Sequence, residues 1–389
     1  MTATSPAERF GPEARTTLYY ATILSTMGVV TGYGAIWLAA QGLSSAQIGW
    51  INAAPVFVIL CLNLAVGRIA DRASDWRGII VGCAWVAAIV PVGLYLVEGF
   101  WPILLVWTAT SVALGVSMPV SDAATLKMTQ RRGTEYGPIR AAGTVGYLVA
   151  LVIIGYAAEA WGTAAYLPVF LAFALSRALT ALALPRFRAA PGEDIRPGPS
   201  TLREILRPWF VLPLLGASVV FGSHIILNIF QALLWERQGI ALGTIGLLIA
   251  FGAVCETLMM LFWGRVRRMA PARWLLAGAG TVAVLRWIAM AFAPEVAWLW
   301  PLQALHGITF GVTLMASLAF VNQHTTERIA AQAQGFFMML QQGMSVLALT
   351  GFGALADAFG AASYFASAVF ASLGVCLVLI SLKLRPPAG

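Results

Sequence analysis

Apolar runs of about 20 residues recur along this chain, joined by short polar segments. A helix of that length crosses the hydrocarbon of a bilayer. We read twelve such runs, at 17–40, 47–66, 78–97, 101–126, 138–160, 163–184, 209–234, 243–263, 274–293, 297–321, 333–356 and 361–382. In lipid the backbone has no water to bond, so each run is expected to be a helix. Composition agrees. The residues AVILMFWYC make up 60% of the 389 and charged residues 10%, where soluble domains carry about 45–50% and about 25%. A chain this apolar is neither a soluble enzyme, nor a disordered protein, nor a nucleic-acid binder. An outer-membrane barrel is excluded too, because its strands alternate apolar and polar residues. The expected fold class is an all-α membrane protein with twelve transmembrane helices.

The net charge of +8 therefore reads as topology. Of the 24 lysines and arginines, all but Arg140, Arg177, Arg237 and Arg286 fall in the segments that are cytoplasmic if the N-terminus is inside. Lys and Arg accumulate on that side, so both termini are expected in the cytoplasm, in a multi-pass inner (plasma) membrane protein. The first apolar run is long enough to span, which is not a cleavable-signal pattern. Residues 185–208 form the longest polar stretch, with repeated prolines and mixed charge. They read as a cytoplasmic linker between a bundle at 1–184 and a second at 209–389, with a short surface helix around Glu204, Arg203 and Arg207. Cys61, Cys83, Cys255 and Cys376 lie inside apolar runs without CxxC spacing. They read as small buried hydrophobes, and neither a metal nor a cofactor is expected.

The two halves repeat each other. Trp37, Gln41, Gly42, Ile48, Gly49, Gly67 and Arg68 are matched by Trp235, Gln238, Gly239, Ile245, Gly246, Gly264 and Arg265. The three glycine pairs share one offset. Two pseudo-symmetric six-helix bundles are a known transporter architecture, with the substrate site near the midplane.

Ionisable residues inside spans cost roughly 2.5–3.5 kcal/mol each on insertion scales and are functional candidates. Glu256, Arg286, His306 and His224 lie near the middles of four spans in the second half. They are expected to face each other or a wet cavity. Asp122, near the end of the fourth span, and Arg140, near the start of the fifth, sit at similar depth and are expected to meet. Asn52, Asn63, Asn228 and Gln231 either line a cavity or hydrogen-bond between helices.

Two stretches carry a resemblance. Gly67-Arg68-Ile69-Ala70-Asp71-Arg72, followed by Asp75 and Arg77, resembles the G-x-x-x-D-R loop of the major facilitator superfamily. In that superfamily the loop latches the cytoplasmic side, which makes Gly67, Asp71, Arg72 and Arg77 gating candidates; positive-inside topology alone is the alternative. Tyr136, Gly137, Arg140, Gly143, Val145, Gly146 and Tyr147, following Asp122, resemble the lactose permease group and, more closely, the phenylpropionate permease group. The resemblance implies that Asp122, Arg140 and Tyr147 bind substrate; His224 and Asn228, polar residues inside the seventh span, are added as candidate contacts on their position alone. It also implies a proton-coupling cluster of Glu256, Arg286 and His306. Lactose permease has a carboxylate one turn after its His, where this chain has Thr309. Glu256 is then the remaining carrier, its proton affinity set by burial against a nearby guanidinium. The other reading is a Glu256–Arg286 pair that only pins helices.

No G-x-x-x-x-G-K-[ST], H-E-x-x-H or G-x-S-x-G occurs, and no nucleophile–base constellation supports an enzyme. The expected function is proton-coupled symport of a small organic solute by alternating access. An aromatic or other small carboxylate suits the arginines and abundant rings. A proton-antiport exporter and a lipid flippase or assembly factor remain alternatives. The expected partners are the solute, protons and membrane lipids, with no nucleic acid; facilitator folds commonly act as monomers.

Overall fold

The computed structural model describes residues 11–62, 75–187, 206–325 and 332–384, and the backbone alone of 63–72 and 327–331. Among the described residues every regular element is a helix and there is no strand. Ten stretches are long and apolar enough to cross a membrane. The helices are α1 (Pro12–Ala40), α2 (Ser45–Arg72), α3 (Trp76–Ile89), α4 (Phe100–Arg132), α5 (Tyr136–Trp161) and α6 (Tyr166–Leu182). They continue as α7 (Pro208–Arg237), α8 (Leu242–Val266), α9 (Ala272–Ala291), α10 (Val296–His324), α11 (Glu327–Phe359) and α12 (Tyr364–Ser381). Each apolar run overlaps one of these helices, with ends that differ by up to eight residues: the run at 78–97 outlasts α3 and continues through a 3-10 turn over Val90–Tyr95. The expected surface helix near Glu204 lies outside the described residues.

The chain forms two compact units. One comprises Met1–Leu43, Ala54–Glu193 and Ala241–Leu247; the other comprises Ser44–Ala53, Asp194–Ile240 and Leu248–Gly389. In the first, α1 packs most extensively on α5 and α6, and α3 on α4 and α6. In the second, α7 packs on α11 and α12, and α12 on α9. The most enclosed helices are α1 and α7, while most others present a broad exposed apolar face. Such a face is stable only against lipid. This corrects the expectation for two cysteines: Cys61 and Cys376 are exposed. A thiol that is a weak hydrophobe gains no more from a helix interface than from acyl chains.

The internal repeat has a local cause. Gly42 and Gly239 sit at φ 79° and 81°, a backbone region open to glycine. Each ends a helix in the same motif. The Leu43 amide reaches back to the Leu38 carbonyl at 3.3 Å, and the Ile240 amide to the Trp235 carbonyl at 3.1 Å, satisfying the last carbonyls. The next helix then starts with a capped end. Ser44 Oγ accepts from the Gln47 amide and Gln47 Oε1 from the Ser44 amide, at 3.2 and 3.0 Å, a reciprocal capping box.

A carboxylate closes each of these helix starts. Asp357 accepts from the Ala46 amide at 3.3 Å, and Glu159 from the Gly243 amide at 2.9 Å. A negative charge at a helix N-terminus contributes about 0.3–1 kcal/mol. Asp357→Asn and Glu159→Gln are each expected to cost about that much, read as a small drop in the melting temperature of purified protein. Unchanged melting in both variants would show that these caps carry no stability.

Candidate functional site

The second unit holds the denser polar cluster. It is built where α10 departs from regular helix. After Val296–Ala304, with Pro301 inside it, the chain passes His306 and makes a π-helical turn over Gly307–Val312. Such turns widen the helix and re-aim side chains, and they concentrate at functional sites. Gln303, His306 and Thr309 fall at a spacing of three, so they project from one face.

Arg286 of α9 faces them and is 1% exposed. Its guanidinium donates to Gln303 Oε1, and to Thr309 Oγ1 at 3.2 Å. Its Nη1 lies 3.2 Å from His306 Nδ1. The ring of Trp287 lies 5.1 Å from the charge. Gln303 in turn donates to Gln231 of α7 at 3.0 Å. On the other side of the imidazole, His306 Nε2 is 3.3 Å from Glu256 Oε2 of α8.

These contacts assign the tautomer. A guanidinium can only donate, so His306 Nδ1 must offer its lone pair and Nε2 must carry the hydrogen. Nε2–H then lies 3.3 Å from the Glu256 carboxylate, within electrostatic reach. His306 stands as a neutral bridge between a cation and an anion. The direct partners of Arg286 are all neutral, and its Nε has no hydrogen-bond partner among the described residues. Among the described residues Arg286 thus keeps one donor unsatisfied, and its hydrogen bonds go to neutral groups.

His224 packs beside the cluster, its ring 5.0 Å from Trp287 and 5.9 Å from His306. Its Nδ1 is 2.9 Å from the Val220 carbonyl, so Nδ1 is the protonated nitrogen. The buried Nε2 is an acceptor without a donor among the described residues. Asn228 is half-buried on the same helix.

The first unit holds a second cluster. Asp122 Oδ1 accepts from Tyr20 at 2.6 Å and from Tyr136 at 2.7 Å. Arg140 Nε lies 3.9 Å from the same oxygen, close enough for charge attraction but too far for a hydrogen bond. Asp122 and Arg140 do meet, with two tyrosine hydroxyls between the helices. Tyr147 lies two turns further along α5, its hydroxyl 3.1 Å from Thr31 Oγ1 of α1. It is therefore separate from the acid. Asn52 bonds the Ile48 carbonyl of its own helix at 2.9 Å.

Of the gating candidates, Gly67, Asp71 and Arg72, expected in a loop, belong by their backbone to the end of α2, and the side chains of Asp71 and Arg72 lie outside the described residues, as does that of Asn63. Arg77 donates to the Leu182 carbonyl at 2.7 Å. Asp75 caps α3 through the Arg77 amide.

Reading the sequence overlooked Gln303 and Tyr20. Gln303 precedes His306 by three residues, so its place on the same face was recoverable from the spacing. Tyr20 had no such signal, because α1 is distant in sequence from Asp122. Arg177, set apart in the sequence only as a basic residue outside the cytoplasmic segments, is 1% exposed and donates to Ser117 of α4.

Comparison with known proteins follows this geometry. The sequence model of the MFS_1 like family matches residues 15–380. Maltose permease of Geobacillus stearothermophilus is 28% identical over 350 residues, 87% of this chain and 86% of that protein. A probable 3-phenylpropionic acid transporter of Escherichia coli (strain K12) is 22% identical over 344 residues, 86% of this chain and 88% of that one. Among solved structures, the nucleoside transporter NupG superposes with a TM-score of 0.82 at 17% identity, over 97% of this chain and 100% of that one. A bacterial homologue of the lysosomal transporter Spinster gives 0.77 at 18% identity, over 99% and 100%. The chain therefore belongs to the MFS_1 like family and is a membrane transporter of the major facilitator type.

Proposed function

We propose that this transporter imports a small organic carboxylate, aromatic or of similar size, together with a proton, by alternating access. The supporting observation is the neutral His306 held between Glu256 and Arg286. While Glu256 is ionised it holds His306 Nε2–H, and His306 Nδ1 occupies a donor of Arg286. A proton on Glu256 weakens that hold, since an N–H dipole is drawn more strongly to a charged carboxylate than to a neutral carboxyl. His306 is then freer to leave Arg286, whose guanidinium can take a substrate carboxylate in its place. Proton binding and anion binding thereby favour one another. In this reading Thr309 serves as an uncharged partner that holds Arg286 in place.

The wider assignment goes with this reading. The stretches Tyr136–Leu182 and Gln332–Ser381, of 47 and 50 residues, each hold two helices joined by a short 3-10 turn. They count as two crossings each, giving twelve in two halves at 1–184 and 209–389. The basic residues place both termini in the cytoplasm, in the inner membrane. Asp122, Arg140, Tyr147, His224 and Asn228 are assigned to substrate contact.

Glu256→Gln is the decisive variant. Reconstituted in proteoliposomes, it is expected to lose uphill uptake driven by a pH gradient while retaining exchange of solute across the membrane. Uphill uptake at the wild-type level would remove Glu256 from coupling. A second reading, a disaccharide substrate, is favoured by the similarity to a maltose permease. A thermal-shift screen of the purified protein against aromatic acids and sugars separates the two, because a ligand of the native state raises its stability by mass action.

A further inference from the structure

A cavity of about 980 Å³ opens in the first unit where the start of α1, the start of α3 and the end of α6 converge. Three of its lining residues are arginines, Arg15, Arg77 and Arg186, and none is acidic. The rest of the lining is largely aliphatic, with Leu18 and Leu182 exposed at 55% and 47%.

The walls are held by specific bonds. Arg77 Nη2 donates to the Leu182 carbonyl at 2.7 Å, which fixes that guanidinium at the end of α6. The segment after α6 is tied to the start of α3, since the Phe187 amide donates to Asp75 at 2.9 Å and the Trp76 amide to the Phe187 carbonyl at 3.4 Å. Asp75 is thereby engaged by two backbone amides, its own cap bond to Arg77 included. Arg186 is carried by this anchored segment. The Nε atoms of Arg15 and Arg77 are shielded from solvent and have no hydrogen-bond partner among the described residues.

Three like charges around one cavity repel each other, and two shielded donors without acceptors are costly. Both costs fall when an anion with several acceptor oxygens enters. Phosphate satisfies that demand, since arginine forks match its oxygens. The cavity is far larger than a free phosphate ion, and its aliphatic wall needs an apolar partner. By the distribution of basic residues, these helix ends lie at the cytoplasmic interface, where basic pockets between membrane helices hold anionic headgroups.

We infer that this cavity binds the headgroup of an anionic phospholipid, its phosphate held by Arg15, Arg77 and Arg186 and its glycerol and upper acyl chains lying on Leu18 and Leu182. Nothing in this assignment depends on the transported solute.

The test uses the full chain, purified and delipidated in detergent, with phosphatidylglycerol, phosphatidylcholine and inorganic phosphate added separately. Melting temperature and native mass spectrometry are the readouts. Phosphatidylglycerol is expected to raise the melting temperature saturably and to remain bound in the mass spectrum, while phosphatidylcholine and millimolar phosphate do neither. In the double variant Arg15→Gln, Arg186→Gln the phosphatidylglycerol concentration for half-saturation should rise at least about tenfold, the loss of one to two charge-assisted bonds. The charge-retaining pair Arg15→Lys, Arg186→Lys should recover most of that affinity, which separates lost binding from a damaged fold. The assignment is overturned if the glutamine pair binds phosphatidylglycerol like the wild type, if phosphatidylcholine binds equally well, or if inorganic phosphate alone reproduces the shift.

Discussion

Gly146→Ala is expected to abolish correct folding of the first unit. A Cβ built on Gly146 overlaps the carbonyl oxygen and carbon of Ala21 in α1 and touches Ser25 Oγ. The obstacle is backbone, which cannot rotate aside, so α1 and α5 would have to separate. These two helices form the most extensive pairing in the chain. Overpacking usually costs about 1–3 kcal/mol and more where nothing can yield; this site belongs at or above the top of that range. Membrane helices depend on such close approach, because lipid provides no hydrophobic force to drive them together. Gly143→Ala, one turn earlier, serves as the control. Its Cβ would meet chiefly the Leu24 side chain, at 2.8 Å, which can change rotamer. The measurement is the yield of monodisperse protein on size-exclusion chromatography with its melting temperature. Equal behaviour of the two variants would show that the backbone contact is not limiting.

Arg286→Met should leave the protein folded and remove transport. The direct partners of Arg286 are neutral, so deleting its charge leaves no directly paired anion stranded. Lost bonds to Gln303 and Thr309 are offset by relief from burying a guanidinium. Substrate recognition has no such offset. One charge-assisted bond contributes about 1.5–3 kcal/mol, which corresponds to about 10- to 150-fold weaker binding of a carboxylate. Uptake and ligand-induced thermal shift should fall together, while the melting temperature without ligand moves little. Arg286→Lys keeps the charge but loses the fork, and is expected to recover only part of the affinity. Uptake at the wild-type level in Arg286→Met would exclude this guanidinium from the substrate path.

The candidate site is partly legible in the sequence. Glu256, Arg286 and His306 stand out because charge is rare in apolar runs, and rarity inside a span marks function. Asp122 and Arg140 stand out for the same reason, and equal depth on neighbouring spans predicted their meeting. The order of contacts was not legible. A Glu256–Arg286 pair is the simplest guess from charge, yet His306, just before the π turn of α10, stands between them. Tyr20 joined its cluster from α1, far away along the chain, with no local pattern to announce it, whereas Gln231, already singled out as a polar residue inside a span, hydrogen-bonds between helices through Gln303. Tyr147 shows the reverse case: its motif placed it with Arg140, but two turns of helix carry it to Thr31.

The positions of the helices and the turns that repeat between the halves were written in the residues themselves. Those features are local: 20 apolar residues must be helical in lipid, and a Gln-Gly pair after a Trp-bearing helix ends it in a left-handed turn. Which donors meet which acceptors was settled by packing alone. A hydrogen bond depends on tenths of an ångström and on direction, and both are set by how helices distant in sequence lie against each other.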